Sequence, residues 1–338
     1  MTNKLMKAIG IQGQQQPFKL LTQALPDATG HDLLVEIDAI AINPVDNKVK
    51  NRLAAMEETP RILGWDAVGT VTAIGEKVTR FKPGDKVFYA GDIRRPGCYA
   101  SHQLVDERIT AMAPLSLTAE QAAAMPLTSI TAWEALFSRL KIANEQDKGK
   151  TILIIGGAGG VGSIAIQLAK KVANLTVVAT ASRPESQTWC QQLGADYCIN
   201  HHQDLLTQYQ RLPVTEPDYI LCLSDTDSYF DVMSQLIAPE GMICSIVETT
   251  KPHDLDLLKT KSAGFVWEFM FTRPMYDTDT MHQQHALLTQ IAGLLDNGVI
   301  TTTMKQSLGP MSVANLTQAH QQIVKGQTIG KITLSALK

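Results

Sequence analysis

The stretch Ile154-Ile-Gly-Gly-Ala-Gly-Gly-Val-Gly162 decides the fold. Within it, Gly157-Ala158-Gly159-Gly160-Val161-Gly162 satisfies G-x-G-x-x-G, a weak signal in isolation. Here an apolar strand, 151–155, precedes it and an amphipathic helical run, 161–172, follows it, as a dinucleotide-binding turn requires. One glycine makes the tight turn, one lets the backbone approach a pyrophosphate, and one lets helix and strand pack closely. The helix N-terminus then presents free N–H groups and the positive end of its dipole to the phosphates.

Outward from this loop, strands and helices alternate. Strands are expected at 175–179, 219–223 and 242–247, with helices at 184–193 and about 229–237. This βαβα order predicts an α/β fold with a doubly wound parallel sheet. The first third is different. The run 32–42 partly alternates, with Glu36 and Asp38 on one face and Val35, Ile37 and Ala39 on the other. A second strand is expected at 67–74, and Phe81-Lys-Pro-Gly-Asp85 is a turn feeding a third. These short strands suggest a small sandwich or barrel. Thr118 opens a capped helix, and 131–140 reads as helical. Beyond residue 275 helices are expected at 283–295 and 313–324, and Gly330-Lys331-Ile-Thr-Leu334 is a closing strand.

The residue that reads the adenosine ribose lies about 20 positions past the loop, at the end of the second strand. That position is Ser182, in Ala179-Thr-Ala-Ser-Arg-Pro-Glu185. A carboxylate would bind a bare 2′-hydroxyl and repel a phosphate. Ser182 and Arg183 offer instead a hydroxyl and a cationic fork suited to a 2′-phosphate. Ser182 to Glu185 also reads as a capping box, and one hydroxyl can serve both purposes. His201, after the third strand, is a further candidate beside that phosphate. NADPH is therefore the expected cofactor.

The 338 residues suggest two domains, with 44% hydrophobic and 19% charged residues. A net charge of −3 with no block of like charges gives no general attraction to nucleic acid or to an anionic membrane. No run is long and apolar enough for a spanning helix, and the opening residues lack the apolar core of a secretory signal. Five scattered cysteines point to buried, reduced thiols in a cytoplasmic protein.

The β-rich first third with Phe81-Lys-Pro-Gly-Asp-Lys-Val87, the glycine loop and the terminal Gly330-Lys331 strand together resemble the medium-chain dehydrogenase/reductases over nearly the whole chain. The resemblance implies a GroES-like catalytic domain at 1–124, completed by 272–338, and a Rossmann domain at 125–271. Many members hold a catalytic zinc. At the matching positions this chain has Asn43 for the first ligand, in Asn43-Pro-Val-Asp46, Trp65 for the second, in Gly64-Trp-Asp66, and Leu127 for the third. An amide, an indole and a leucine cannot replace thiolate, imidazole and thiolate. No metal ligands are therefore assigned. The Asn-Pro-Val-Asp pattern is similar to the zinc-less quinone oxidoreductase and enone reductase branch.

Hydride transfer to a carbonyl leaves charge on oxygen, which a metal would stabilise as a Lewis acid. Without one, a conjugated acceptor that spreads the charge is the better match. The expected activity is NADPH-dependent reduction of a small quinone or α,β-unsaturated carbonyl. Asn43, Asp46 and Lys48 are the candidate catalytic residues. Asn43 is a donor toward cofactor or substrate, and Lys48 either pairs with Asp46 or donates to the substrate. Trp65 and Tyr89 are candidates for an apolar pocket wall, and Phe269 and Phe271 for its border. The resemblance places Thr131 near the nicotinamide, and implies a homodimer paired through the apolar edge strand at 263–271. The alternatives are a zinc-dependent alcohol dehydrogenase and a non-catalytic NADPH-binding sensor. A short-chain reductase is disfavoured, because no Tyr-x-x-x-Lys occurs.

Overall fold

The computed structural model describes residues 4–143 and 145–337. The chain divides into two compact units. One comprises the residues up to Ile130 together with those from Phe271 onward, and the other runs from Thr131 to Met270.

The second unit carries six parallel strands in the order Tyr197–Ile199, Thr176–Thr180, Thr151–Ile155, Tyr219–Cys222, Met242–Ser245 and Gly264–Trp267. The glycine-loop strand, Thr151–Ile155, is buried throughout, as an inner strand covered on both faces must be. The chain leaves it toward one edge and then crosses back to build toward the other. That reversal is the switch point at which doubly wound sheets bind ligands. One face of the sheet closes over Leu153, Ile155, Ile220, Phe230, Met233 and Leu236.

Two expected elements differ. The helix expected from about residue 229 starts at Thr226, because the Asp225 carboxylate accepts from Ser228 N. The helical run expected at 131–140 begins earlier, with Pro126 leading Pro126–Trp133. It then widens into a π-helix at Glu134–Arg139. The π turn places Arg139 so that its Nε donates to the buried Glu268 carboxylate at 2.7 Å.

The first unit is built on a seven-stranded sheet. Its main path runs Met304–Met311, Lys331–Leu337, Asp32–Ile42, Ala67–Ile74, Lys86–Tyr89 and Thr110–Met112, and His102–Asp106 also pairs with Asp32–Ile42. The terminal strand lies antiparallel to the end of Asp32–Ile42, with Ile332 opposite Ile42 and Thr333 opposite Ala41. This register brings Lys331 beside Asn43, although 288 positions separate them in sequence. A three-stranded sheet, Lys19–Ala24, Leu5–Ile11 and Arg61–Ile62, lies alongside. Thr118 caps Ala119–Ala123 in a capping box with Gln121, as its sequence predicts. The Leu127 N–H bonds to Asp66, which ties Pro126 and its neighbours to the first unit. No helix among the described residues is long and apolar enough to cross a membrane.

Candidate functional site

In the second unit the loop glycines do distinguishable work. Gly156, one residue ahead of the G-x-G-x-x-G string, makes the turn at a φ of +89°. Its N–H bonds to Thr180 Oγ1 at 3.0 Å, and Gly157 N–H bonds to Thr180 O at 3.1 Å, so the loop is fastened to the second strand. A Cβ on Gly157 would lie 2.9 Å from Ala179 Cβ, and one on Gly162 would lie 2.5 Å from the carbonyl oxygens of both Gly156 and Gly157. Gly159 faces more open space and caps the helix Gly160–Lys171. The first-turn N–H groups of that helix have no carbonyl ahead of them. Ala158, Gly159, Gly160 and Val161 are partly exposed beside those donors. This cradle fits a pyrophosphate, with room for backbone approach and donors aimed at an anion.

The expected adenosine-end residues lie past two neighbouring parallel strands, which align Thr180 with Ile199. Ser182 and Arg183 follow the first and His201 the second. The capping box expected from Ser182 forms one residue later. Arg183 is the N-cap of Pro184–Leu193, and its N–H donates to Ser186 Oγ at 3.1 Å, so the cap does not use the Ser182 hydroxyl. His201 is half-buried, and its Nδ1 has no partner among the described residues. Burial, then His202 and Arg183, hold the His201 imidazole below its ordinary pKa. Thr131 is buried on the helix Pro126–Trp133.

The first unit contains a buried polar cluster. Lys331 Nζ, with Lys331 only 3% exposed, donates to Ile42 O at 2.9 Å, to Asp66 Oδ2 at 2.9 Å and to Asn43 Oδ1. Asn43 Nδ2 donates to Asp66 Oδ2 at 2.8 Å, and Leu127 N–H to Asp66 Oδ1 at 2.7 Å. Asp66 thus receives a charge-assisted bond and two amide bonds, which meets the requirement for a buried carboxylate. Asn43 is buried, and its amide links Lys331 to Asp66.

Asp46 is also fully buried. Its Oδ2 accepts from Asn43 N–H at 2.9 Å and from the Tyr99 hydroxyl at 2.8 Å. Tyr99 meets His320 Nε2 at 3.0 Å, and His320 Nδ1 meets Asn47 Oδ1 at 2.8 Å. Burial is the largest influence on the Asp46 carboxyl and pushes it up to about 7. Burial, with Lys50 nearby, pulls the His320 imidazole down to about 4. Lys48 lies half-buried on the same helix, Pro44–Arg52. Trp65 is buried, with its indole N–H on Asp92 O at 3.2 Å and its ring edge-on to Phe271. Tyr89 and Phe271 are core residues, whereas Phe269 is 43% exposed.

Residues 29–121 match the alcohol dehydrogenase GroES-like domain, and residues 160–264 match the zinc-binding dehydrogenase family. The chain is 45% identical over 320 residues to a zinc-type alcohol dehydrogenase-like protein of Staphylococcus aureus (strain COL), covering 94% of this chain and 95% of the relative. The chain belongs to the medium-chain dehydrogenase/reductase superfamily. A crystal structure from Rhizobium etli CFN 42, assigned as a zinc-dependent alcohol dehydrogenase, superposes with a TM-score of 0.94 at 42% identity over 99% of both chains. A 2-methylene-furan-3-one reductase of Solanum lycopersicum is 37% identical over 197 residues, covering 54% of this chain and 47% of that protein.

The chain is thus a medium-chain oxidoreductase, and the zinc in its relatives' names can be tested against its residues. The three positions matching metal ligands hold the Asn43 amide, the Trp65 indole and Leu127, whose side chain is a hydrocarbon and whose backbone N–H goes to Asp66. An ammonium already lies within 2.9 Å of the Asp66 carboxylate beside them. Among the described residues, no group of three or more His, Cys, Asp or Glu is placed to hold a metal ion. This donor set does not fit zinc.

Sequence reading named Asn43 and Asp46 but not their partners Asp66, Lys331, Tyr99 and His320. Asp66 and Lys331 stood inside quoted motifs, and a charged residue in an otherwise apolar strand start, as in Gly-Lys-Ile-Thr-Leu, was the available signal. Tyr99 and His320 are 221 positions apart and gave none.

The two shifted groups bias stability in opposite directions. Asp46, raised from 3.8 to about 7, adds stability that is complete below about pH 4 and lost as pH rises through 7. His320, lowered from 6.5 to about 4, adds stability that is complete above about pH 6.5 and lost as pH falls through 4. Between these limits they offset one another. Urea unfolding should therefore show Asp46→Asn gaining on the parent as pH rises from about 4 to 7, while His320→Gln loses ground to the parent from about 4 to 6.5. Parallel pH profiles for all three proteins would contradict the assigned burial.

Proposed function

We propose that this protein is an NADPH-dependent reductase of a small quinone or α,β-unsaturated carbonyl, acting by hydride transfer without catalytic zinc. The observation that carries this reading is the Lys331 ammonium fixed between Asp66 and Asn43, the residue at the position of the first metal ligand in zinc-bearing members of the family. Without a Lewis acid there, charge developing on the acceptor is best spread by the acceptor's own conjugation. The likeness to a protein named as a 2-methylene-furan-3-one reductase supports an enone acceptor.

The bound nicotinamide supplies the hydride. The N–H groups from Ala158 to Gly162 hold its pyrophosphate, and Gly157 and Gly162 keep that approach open. Ser182, Arg183 and His201 hold the 2′-phosphate, and the strand end offers no carboxylate to repel it. Thr131 lies toward the nicotinamide end. Asn43, Asp46 and Lys48 belong to the substrate side, with Asn43 positioned by Lys331 and Asp66.

Oxidation of NADPH and of NADH, followed at the nicotinamide absorbance against quinone and enone panels with and without chelator, tests this directly. Expected are chelator-resistant turnover and a preference for NADPH. Arg183→Ala should raise the KM for NADPH roughly 10- to 100-fold, as loss of a charge-assisted hydrogen bond does, and leave NADH little changed. Chelator-sensitive alcohol oxidation would point to a zinc enzyme, and tight NADPH binding without turnover to a sensor.

We also propose a homodimer formed through the edge strand Gly264–Trp267. Trp267 is 47% exposed on it and Phe269 is 43% exposed just beyond, a pattern that ordinarily requires a cover. Sedimentation at micromolar concentration should give twice the 36.9 kDa chain mass, and Trp267→Glu should give the monomer. A monomeric parent protein would refute the dimer.

A further inference from the structure

Two cysteines of the second unit face one another. Strand alternation sets the first. Tyr197 and Ile199, on the edge strand Tyr197–Ile199, pack on one side of the sheet with Leu205 and Tyr209, so Cys198 between them points to the other side. Helical spacing sets the second. Ser186, Cys190 and Leu193 are the buried face of Pro184–Leu193. The two faces meet. The Cys198 thiol donates to Gln187 O at 3.7 Å, in the helical turn that ends at Cys190, and the Cys190 thiol bonds to the Cys198 sulfur.

Their surroundings give the two thiols different roles. Cys190 is fully buried, whereas Cys198 is half-buried and is the most open cysteine among the described residues. An oxidant in solvent therefore meets Cys198 first. The bond from Cys190 favours a thiolate on Cys198 and holds that thiol below its ordinary pKa. A reachable thiol of this kind, with a second thiol touching it, is the arrangement of a redox-reactive cysteine beside its resolving partner.

The buried partner lies against the glycine loop. A Cβ on Gly157 would come within 3.2 Å of Cys190 Sγ, so that sulfur forms the floor under the turn. The neighbouring Trp189 indole donates to Ser163 Oγ at 2.8 Å, in the first turn of the helix that leaves the loop. Arg183 caps the same helix as Cys190, seven residues ahead of it. A covalent bond from Cys190 to Cys198 draws this helix against the edge strand. It moves the floor of the loop, the Ser163 tether and the Arg183 cap together.

We propose that Cys190 and Cys198 are a dithiol that hydrogen peroxide closes to a disulfide, and that closure weakens NADPH binding; the second part rests on the cofactor reading above. In the first step the Cys198 sulfur forms an S–O bond, the peroxide O–O bond breaks, and the departing hydroxide leaves as water with the thiol proton. In the second, the Cys190 sulfur attacks that of Cys198. An S–S bond forms, the S–O bond breaks, and a second water leaves with the Cys190 proton. Two thiols and one peroxide thus give one disulfide and two waters. Each sulfur loses one electron and the peroxide gains two. A dithiol reverses the bond by exchange.

Reduced protein is treated with one equivalent of hydrogen peroxide, and its thiols are counted after denaturation. The count should fall from five to three and return to five with dithiothreitol. Mass spectrometry of the digest should find the peptide that holds Cys190 and Cys198 short of two hydrogens and closed to alkylation. Cys190→Ser should stop at a Cys198 sulfenic acid that dimedone captures, and Cys198→Ser should keep all its thiols. Titration with NADPH should show affinity roughly 10-fold lower in the oxidised protein, within the usual range of coupling between sites, and restored by dithiothreitol. Five thiols after peroxide, or oxidation at another cysteine, overturns the dithiol. A closed disulfide with unchanged NADPH affinity overturns the coupling. Reduced protein that binds no NADPH overturns the cofactor reading, and with it the coupling, while the thiol count still decides the dithiol.

Discussion

The first unit depends on one buried ion pair. Lys331 and Asp66 lie 2.9 Å apart with almost no exposure to solvent, and each needs the other. Removing either partner would leave a charge in the core, at a cost of about 3–5 kcal/mol. Their geometry is set by the antiparallel pairing of Lys331–Leu337 with Asp32–Ile42, so the last strand of the chain completes the site at the end of the third. Through Asp66 the pair also fixes Asn43 and the start of the helix Pro126–Trp133. An ammonium, an amide and a backbone N–H thus hold together three segments that relatives of the zinc type gather around a metal.

A cation with hydrogen-bond donors is a different chemical tool from a Lewis acid. It balances Asp66 and orients Asn43, but it has no open coordination position to offer an oxygen. This is the physical ground for preferring an acceptor that delocalises its own charge. In the second unit, the loop proposed to hold the dinucleotide is likewise defined by exclusion. Any side chain at Gly162 would collide with two carbonyl oxygens of the loop. The strand end proposed to meet the adenosine lacks the carboxylate that would exclude a phosphate.

The parallel sheet was legible from the sequence because its signals are local: an apolar strand, a glycine turn and an amphipathic helix repeat within about thirty residues. The shift of the glycine turn to Gly156 was not, since G-x-G-x-x-G can be fitted to Gly157–Gly162 without reference to φ. The cap at Arg183 rather than Ser182 shows the same limit, as two overlapping caps of similar quality are separated only by where the strand ends. The partners of Asn43 and Asp46 were illegible for a different reason. Lys331, Tyr99 and His320 reach them through strand register and helix packing across hundreds of residues, which no periodicity within a window encodes. The sequence could say which residues stand at the ligand positions, but not that Lys331 and Asp66 would gather around Asn43.

The most direct test of that replacement is calorimetric titration of the purified, chelator-treated protein with Zn²⁺, in competition with a chromophoric chelator. With the Lys331 ammonium held at Asp66, the protein should show no stoichiometric zinc site. Tight one-to-one binding that is lost in Asp66→Asn would contradict the account, because it would mean that this cluster opens to take the metal.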